Sequence, residues 1–118
     1  MTYVKINETL YPAEINGALI DRAWGGRDSK AITLEMDHAT ALALFVDELD
    51  WSIVFQPDSY PDPETGETVT PEAEIYDNSE YSVAGPITDN RDGTVTVKMG
   101  KLTDGEMLAE LMEVLNND

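Results

Sequence analysis

The stretch YSVAGPITDNRDGTVTVKM, residues 81–99, decides the fold. Two runs rich in β-branched residues, 81–88 and 94–99, flank the polar segment DNRDG. Such runs are typical of strands, and an Asp-Gly pair between two strands favours a tight turn because these residue types tolerate positive φ. The pattern predicts a β-hairpin and therefore an antiparallel sheet.

The same stretch can be compared with a calcium-binding loop. An EF-hand loop has glycine at the sixth position, oxygen ligands at the first, third and fifth, and glutamate at the twelfth. With Gly93 sixth, Asn90 and Asp92 take the third and fifth positions. The first and twelfth positions fall on Thr88 and Met99, which are not the required ligands. The turn is therefore the preferred interpretation, and weak cation binding here or in the loop at 58–74 stays open.

Further segments show the alternation of apolar and polar residues that is typical of strands. The other predicted strands are 2–6, 9–15, 18–23, 30–36, 51–56 and 73–77. The Asn16-Gly17 pair is predicted to be the turn that joins the second and third of these, because it is a strong hairpin signal.

Two segments change to the period of a helix, about 37–49 and 104–116. Asp37 is the predicted N-cap of the first, and Thr103 with Glu106 forms a predicted capping box for the second. Apolar residues recur at i, i+3, i+4 and i+7, so each helix is expected to pack on the rest of the protein. These apolar residues are Leu42, Phe45, Val46 and Leu49, then Leu108, Leu111, Met112 and Leu115. The predicted fold class is α+β, a mostly antiparallel β-sheet of hairpins with two short α-helices against one face or end.

Length and composition predict one domain over residues 1–118, with 42% hydrophobic residues available for a core. Segment 57–72 contains four prolines and no basic residue, so it is predicted to be an exposed acidic loop with a small turn at ETGE. The absence of cysteine excludes disulfides and thiolate chemistry. No secretion signal and no apolar run of membrane-spanning length is recognised.

The net charge of -17 is unevenly distributed. Residues 37–90 contain thirteen acidic side chains and no lysine or arginine. Such a chain repels phosphates and anionic lipids, so direct nucleic acid binding and membrane binding are not expected. A basic protein partner, cations or solubility remain as explanations of the charge.

Several side chains are of types that bind ligands or take part in catalysis. Arg27 and Lys30 flank a glycine-rich segment that resembles a phosphate loop only weakly, and a flexible loop whose basic residues offset nearby acids is preferred. His38 lacks a nucleophile motif and companion metal ligands, so it is predicted to be exposed in the first turn of a helix. The cluster Asp47, Glu48 and Asp50 is predicted to be a solvated face. Two further residues, Trp24 and Trp51, are predicted to be core or half-buried aromatics, with an interface role as the alternative.

Four stretches carry a resemblance over most of the chain: VKINETLYPAEINGALIDR (4–22), RDSKAITLEM (27–36), WSIVFQPDSY (51–60) and YDNSEYSVAGPITDNRDGTVTVKMGKLTDGE (76–106). As a set they resemble uncharacterised small acidic proteins encoded in prophages of Gram-positive gut bacteria, near tail genes. They also resemble small β-rich tail or baseplate components. The resemblance implies a structural or assembly role in a virion tail. It rests on no catalytic or ligand motif, so it assigns no site residues.

The sequence thus predicts a non-enzymatic structural or protein-interaction protein, a phage or prophage tail-region component. It is expected to be made in the cytoplasm and to become associated with the virion. The expected partners are other proteins, including further copies of itself, and no cofactor, catalytic residue or metal site is predicted. The alternative is an acidic inhibitor that mimics nucleic acid and occupies a DNA-binding protein, motivated by the uncompensated carboxylates of 37–90.

Overall fold

The computed structural model describes residues 1–116, apart from the side chains of residues 18, 19, 110 and 113–116. Its strands are β1 (Thr2–Ile6), β2 (Thr9–Asp21), β3 (Arg27–Glu35), β4 (Trp51–Phe55), β5 (Tyr60–Pro61), β6 (Thr68–Val69), β7 (Glu74–Asp77), β8 (Val83–Asp89) and β9 (Thr94–Gly100). Its helices are α1 (His38–Leu44), α2 (Asp104–Asn116) and a 3-10 turn, Arg22–Trp24. The prediction of a mostly antiparallel sheet with two short helices is confirmed.

Seven strands form one antiparallel sheet in the order β7-β4-β1-β2-β3-β9-β8. Paired residues of neighbouring antiparallel strands project to the same face, so the pairs Ile15–Ile32 and Ile32–Val97 share one face. This face is apolar and α1 covers part of it, next to β8 and β9. The buried cluster consists of Val4, Ile6, Ile32, Leu34, Ala41, Phe45, Leu49, Trp51, Val95, Val97 and Met99.

The opposite face of the sheet is largely polar. The hydroxyls of Thr33 and Thr96 lie 3.0 Å apart across β3 and β9. Asp21 accepts hydrogen bonds from Ser29 at 3.0 Å and from Lys98 at 2.9 Å. The hydrogen bond from Lys98 lowers the pKa of Asp21. The sheet therefore has a core on one face and a hydrogen-bonded polar surface on the other.

The predicted hairpin turn at Asn16-Gly17 is wrong. Both residues lie inside β2, a strand of 13 residues, where they pair with Ala31 and Lys30 of β3. The turn between β1 and β2 is Asn7-Glu8, with φ of 50° and 70°. Positive φ at two successive residues is the signature of a type I′ turn. The predicted return strand 18–23 is instead the end of β2 followed by the 3-10 turn.

The first helix is shorter than predicted. It begins after Asp37, whose carboxylate accepts from the Thr40 N–H at 2.7 Å, which confirms the N-cap. It ends at Leu44 rather than near residue 49, because the residues that follow form hydrogen bonds with the start of β8 and the segment before it. There the Glu48 N–H donates to Ser82 O at 2.7 Å, and Asp47 accepts from the Ala84 N–H at 2.8 Å.

The buried apolar residues of this region also differ from the predicted set. Ala41, Phe45 and Leu49 are buried, whereas Leu42 and Val46 of the predicted face are 59% and 46% exposed. Leu49 lies beyond the end of the helix, so its burial is not a consequence of helical spacing.

The acidic segment 57–72 contains a small two-stranded sheet of its own, β5 with β6. Its turn contains Gly66 at a φ of 73°, within the predicted ETGE turn. Gln56 Nε2 donates to Pro71 O at 2.9 Å and so joins the two ends of the segment. The segment is therefore ordered by hydrogen bonds, and most of its residues are exposed.

The predicted hairpin within residues 81–99 is confirmed and is formed by β8 and β9. Asp89 Oδ1 accepts from the Arg91 N–H at 2.9 Å, and Asp92 Oδ1 accepts from the Thr94 N–H at 3.0 Å. These carboxylates therefore stabilise the backbone of the turn. Gly93, with a φ of 88°, takes the conformation that favours glycine.

The position of the first turn can be tested by two substitutions. Gly17→Ala is expected to leave stability unchanged or raise it by up to about 1 kcal/mol, because glycine weakens a strand interior and no atom lies within 4 Å of an added Cβ. Glu8→Gly is expected to stabilise by about 0.5–1 kcal/mol, because it relieves a positive φ. Urea unfolding measures both. A strong loss in Gly17→Ala would mean that Asn16-Gly17 is the turn after all.

Candidate functional site

The most unusual surface is the apolar side of α2. Met107 is 48% exposed, Leu108 57%, Leu111 56% and Met112 53%. We call these four side chains the apolar stripe. The expectation that this face packs on the protein is wrong for Leu108, Leu111 and Met112, and Leu115 lies outside the described side chains. Large apolar groups that are exposed together on one helix mark an interaction surface more often than isolated ones do.

The start of α2 is nevertheless held in place by a defined set of contacts around Trp24. The Trp24 ring lies against the backbone of β8 and β9 at two glycines. A Cβ at Gly85 would lie 2.5 Å from the ring, and a Cβ at Gly100 would lie 2.8 Å from it. Only glycine at these two positions allows the indole to approach this closely.

Arg27 connects this ring to α2. Its guanidinium carbon lies 4.8 Å from the centre of the Trp24 ring, within cation–π range. The same guanidinium forms a bidentate ion pair with the Glu106 carboxylate, with N···O distances of 2.7 Å and 3.0 Å. It also donates to Lys101 O at 3.0 Å. Such bidentate pairs fix orientation as well as adding energy. We call Trp24, Arg27 and Glu106 the Arg27 cluster.

Glu106 also completes the capping box that the sequence predicts. It accepts from the Thr103 N–H at 2.9 Å, while Thr103 Oγ1 accepts from the Glu106 N–H at 3.2 Å. The Arg27 hydrogen bond and the capping interaction lower the pKa of Glu106 to about 2. One carboxylate therefore satisfies a helix terminus and anchors that helix to the sheet.

A shallow hollow lies beside the first turn of α2. It has a volume of about 240 Å³ and is lined by Glu80, Lys101, Leu102 and Met107. Lys101 Nζ lies 3.5 Å from the Glu80 carboxylate at its rim. Because Met107 belongs to both, the hollow is continuous with the apolar stripe.

Lys30 lies close to this hollow, on the covered face of the sheet. Its ammonium group donates to Asn78 Oδ1 and lies 4.6 Å from the centre of the Tyr81 ring, which Lys101 also approaches at 5.1 Å. Burial lowers the pKa of Lys30. Asn78 is buried, and Trp51 Nε1 donates to Tyr81 O at 3.0 Å. These contacts fasten the 78–81 turn to the core.

The structure does not bring Arg27 and Lys30 together as a phosphate loop would require. Three positions apart on β3, they project to opposite faces of the sheet. The interpretation that these cations offset acids is confirmed for Arg27, which pairs with Glu106, whereas the hydrogen-bond partner of Lys30 is Asn78. The prediction of a flexible loop is wrong for both residues, because they lie in β3.

The other candidate residues lie apart from this surface. His38 is exposed at the start of α1, as predicted, and Asp47, Glu48 and Asp50 are exposed in the turn after it. Trp51 is buried and Trp24 is half-buried, also as predicted. Within residues 1–116, no group of three or more His, Cys, Asp or Glu side chains is placed to hold a metal ion.

Exposed apolar side chains also lie at the opposite edge of the sheet, on both of its faces. On β7, Ile75 is 61% exposed and Tyr76 54%, and Phe55 of the neighbouring β4 is 41% exposed. The Tyr76 hydroxyl donates to Glu74 Oε2 at 2.8 Å, and this hydrogen bond raises the pKa of Tyr76. Large apolar side chains are therefore exposed at both ends of the strand order.

A broad open groove of about 1000 Å³ lies along β2. Its lining includes Tyr11, Ala13, Ile15, Glu14 and Glu35. No histidine, lysine or arginine is among its described lining residues.

No protein-family model, curated protein or solved structure matches this chain. Among the helices formed by residues 1–116, none combines the length and the apolar character that crossing a bilayer requires.

The ion pair of the Arg27 cluster can be tested by pH. Glu106→Gln is expected to lower the free energy of unfolding at pH 7, because it removes the charged partner of Arg27. The folded-state pKa of Glu106 lies below its ordinary value, so its contribution is present above pH 4.5 and is lost as the pH falls toward about 2. The difference between variant and parent should therefore shrink over that range.

Urea unfolding at a series of pH values measures this difference. Glu72→Gln is the matched control, since the described chain shows no ion pair at Glu72 and the substitution removes the same charge. A gap between parent and Glu106→Gln that stays constant down to pH 2 would contradict the ion pair.

The close approach of Trp24 gives a steric prediction. Gly100→Ala is expected to destabilise by about 1–3 kcal/mol, as overpacking does in other well-packed sites. Gly105→Ala is the control, because nothing lies within 4 Å of its added Cβ and alanine favours a helix. Equal melting temperatures for the two variants would contradict the packing of the indole on β9.

Proposed function

We propose that this protein is a non-enzymatic interaction protein that contributes to assembly in a phage or prophage tail region. The observation that carries the proposal is the apolar stripe of α2. Four large apolar side chains that stay in water contribute little to the stability of the helix. A partner that covers them removes this apolar surface from water, which favours the complex.

The shape of the molecule supports this proposal. Its principal extents are 66 × 35 × 26 Å, so it is elongated. The outer edges of β7 and β8 have no partner strand within residues 1–116, and exposed apolar side chains lie near both ends of the strand order. Different surfaces at the two ends suit a component that contacts two neighbours.

The tail-region part of the proposal comes from the resemblance of four sequence stretches to small acidic prophage proteins. The acidic charge supports a protein partner rather than a nucleic acid, because thirteen carboxylates in residues 37–90 repel phosphates. The same charge motivates the alternative, a nucleic-acid mimic, which the experiment below separates from the assembly role.

Affinity capture from the native host after phage induction tests the proposal. The tagged protein is incubated with lysate at low and at high salt, and bound proteins are identified by mass spectrometry. We expect tail or baseplate proteins that stay bound at high salt, because apolar contacts are not screened. Leu108→Gln with Leu111→Gln is the informative variant, and unmodified resin is the control.

The opposite result would be capture of a nuclease, polymerase or repressor that is released as the salt concentration rises. That result would contradict the assembly role and favour the mimic, whose binding is electrostatic.

A further inference from the structure

We propose that the apolar stripe, together with the hollow beside Leu102, is a docking surface for a basic amphipathic helix of a partner protein. This inference rests on the proposed function, because it names the chemistry of the partner at the surface that carries that function.

The geometry suits a helix rather than a strand. The apolar stripe lies along an α-helix, and Met107 continues it into the hollow of about 240 Å³ beside Leu102. Helices pack by inserting side chains of one into grooves of the other, and an amphipathic helix recognises such a surface through residues at i, i+3, i+4 and i+7. Two of the four stripe residues are methionines, whose flexible side chains adapt to a partner.

The charge selects a basic partner over a second copy of this chain. Residues 102–118 contain five acidic and no basic side chains, and the whole chain carries a net charge of -17. Two copies docked through α2 would bring two strongly negative bodies together, which opposes association. A helix with lysine or arginine beside its apolar face relieves that repulsion and is attracted from a distance.

The Arg27 cluster presents the stripe to the partner. Arg27 holds Glu106 in the first turn of α2, one residue before Met107, so the helix leaves the sheet in a fixed direction. Fixing a binding element before association reduces the entropy that binding must offset. Arg27 is therefore a positioning residue for this surface.

A synthetic peptide tests the inference directly. The probe is a fluorescent amphipathic helix of leucine and lysine, and its control is a peptide of the same composition in scrambled order. Both are titrated with the full chain at an ionic strength of about 0.15 M. We expect one-to-one binding of the amphipathic peptide, at least about tenfold tighter than the scrambled one, because only the former can bury an apolar face.

Variants identify the surface that the probe uses. Leu108→Gln with Leu111→Gln is expected to weaken the binding about tenfold or more, since two apolar contacts are lost. Ile75→Gln, at the opposite edge of the sheet, is the matched control and should bind as the parent does. Circular dichroism melting of each variant shows that the fold is retained, as both sites are exposed.

Two results would overturn the inference. Equal affinity for the amphipathic and scrambled peptides, or for the parent and the double variant, would mean that charge alone attracts the probe. A parent that sediments as a dimer and a double variant that sediments as a monomer would show that a second copy covers the stripe instead.

The same double variant separates this inference from the proposed function. If it captures the same tail proteins as the parent does, the assembly role stands and the docking surface is wrong. If the parent captures no tail protein but binds the amphipathic peptide as expected, the docking surface stands and the tail role is wrong.

Discussion

One guanidinium group connects parts of this protein that are far apart in sequence. Arg27 lies over Trp24, donates to Lys101 O just after β9 and pairs with Glu106 in the first turn of α2. Its Nε–H is buried and has no acceptor within the described chain, which offsets part of the gain. The direction of α2, and with it the presentation of the apolar stripe, depends on this one side chain and on the two glycines that admit the indole.

Local patterns were sufficient for much of the sheet. The Asp92-Gly93 hairpin and the capping box of α2 were predictable because each depends on residues within a few positions of one another. The predicted turn at Asn16-Gly17 was wrong because the turn lies at Asn7-Glu8, where φ is positive. From there β2 pairs with β1 over residues 9–12 and with β3 over residues 13–18, and this pairing outweighs a favourable local turn. The first helix ended early for the same kind of reason, since contacts with the segment 82–84 replaced its last turn.

The candidate site was predictable only in part. The sequence predicts the apolar face of α2 and its capping box, but helical period alone cannot show whether a face is covered. The pairing of Arg27 with Glu106 spans 79 residues, and many acids are available to one arginine in a chain of this charge. The close packing of Trp24 on Gly85 and Gly100 is likewise a consequence of sheet order, which local patterns do not determine.

Amide hydrogen exchange of the parent and of Arg27→Met tests the central claim most directly, because it compares α2 with the sheet in one experiment. If the Arg27 cluster holds α2, the amides of residues 106–109 are protected in the parent and exchange faster in the variant. Those of β1 and β4, at a distance from the cluster, should exchange as before. Equal exchange of α2 in parent and variant, with the sheet intact, would contradict the claim that Arg27 positions the helix.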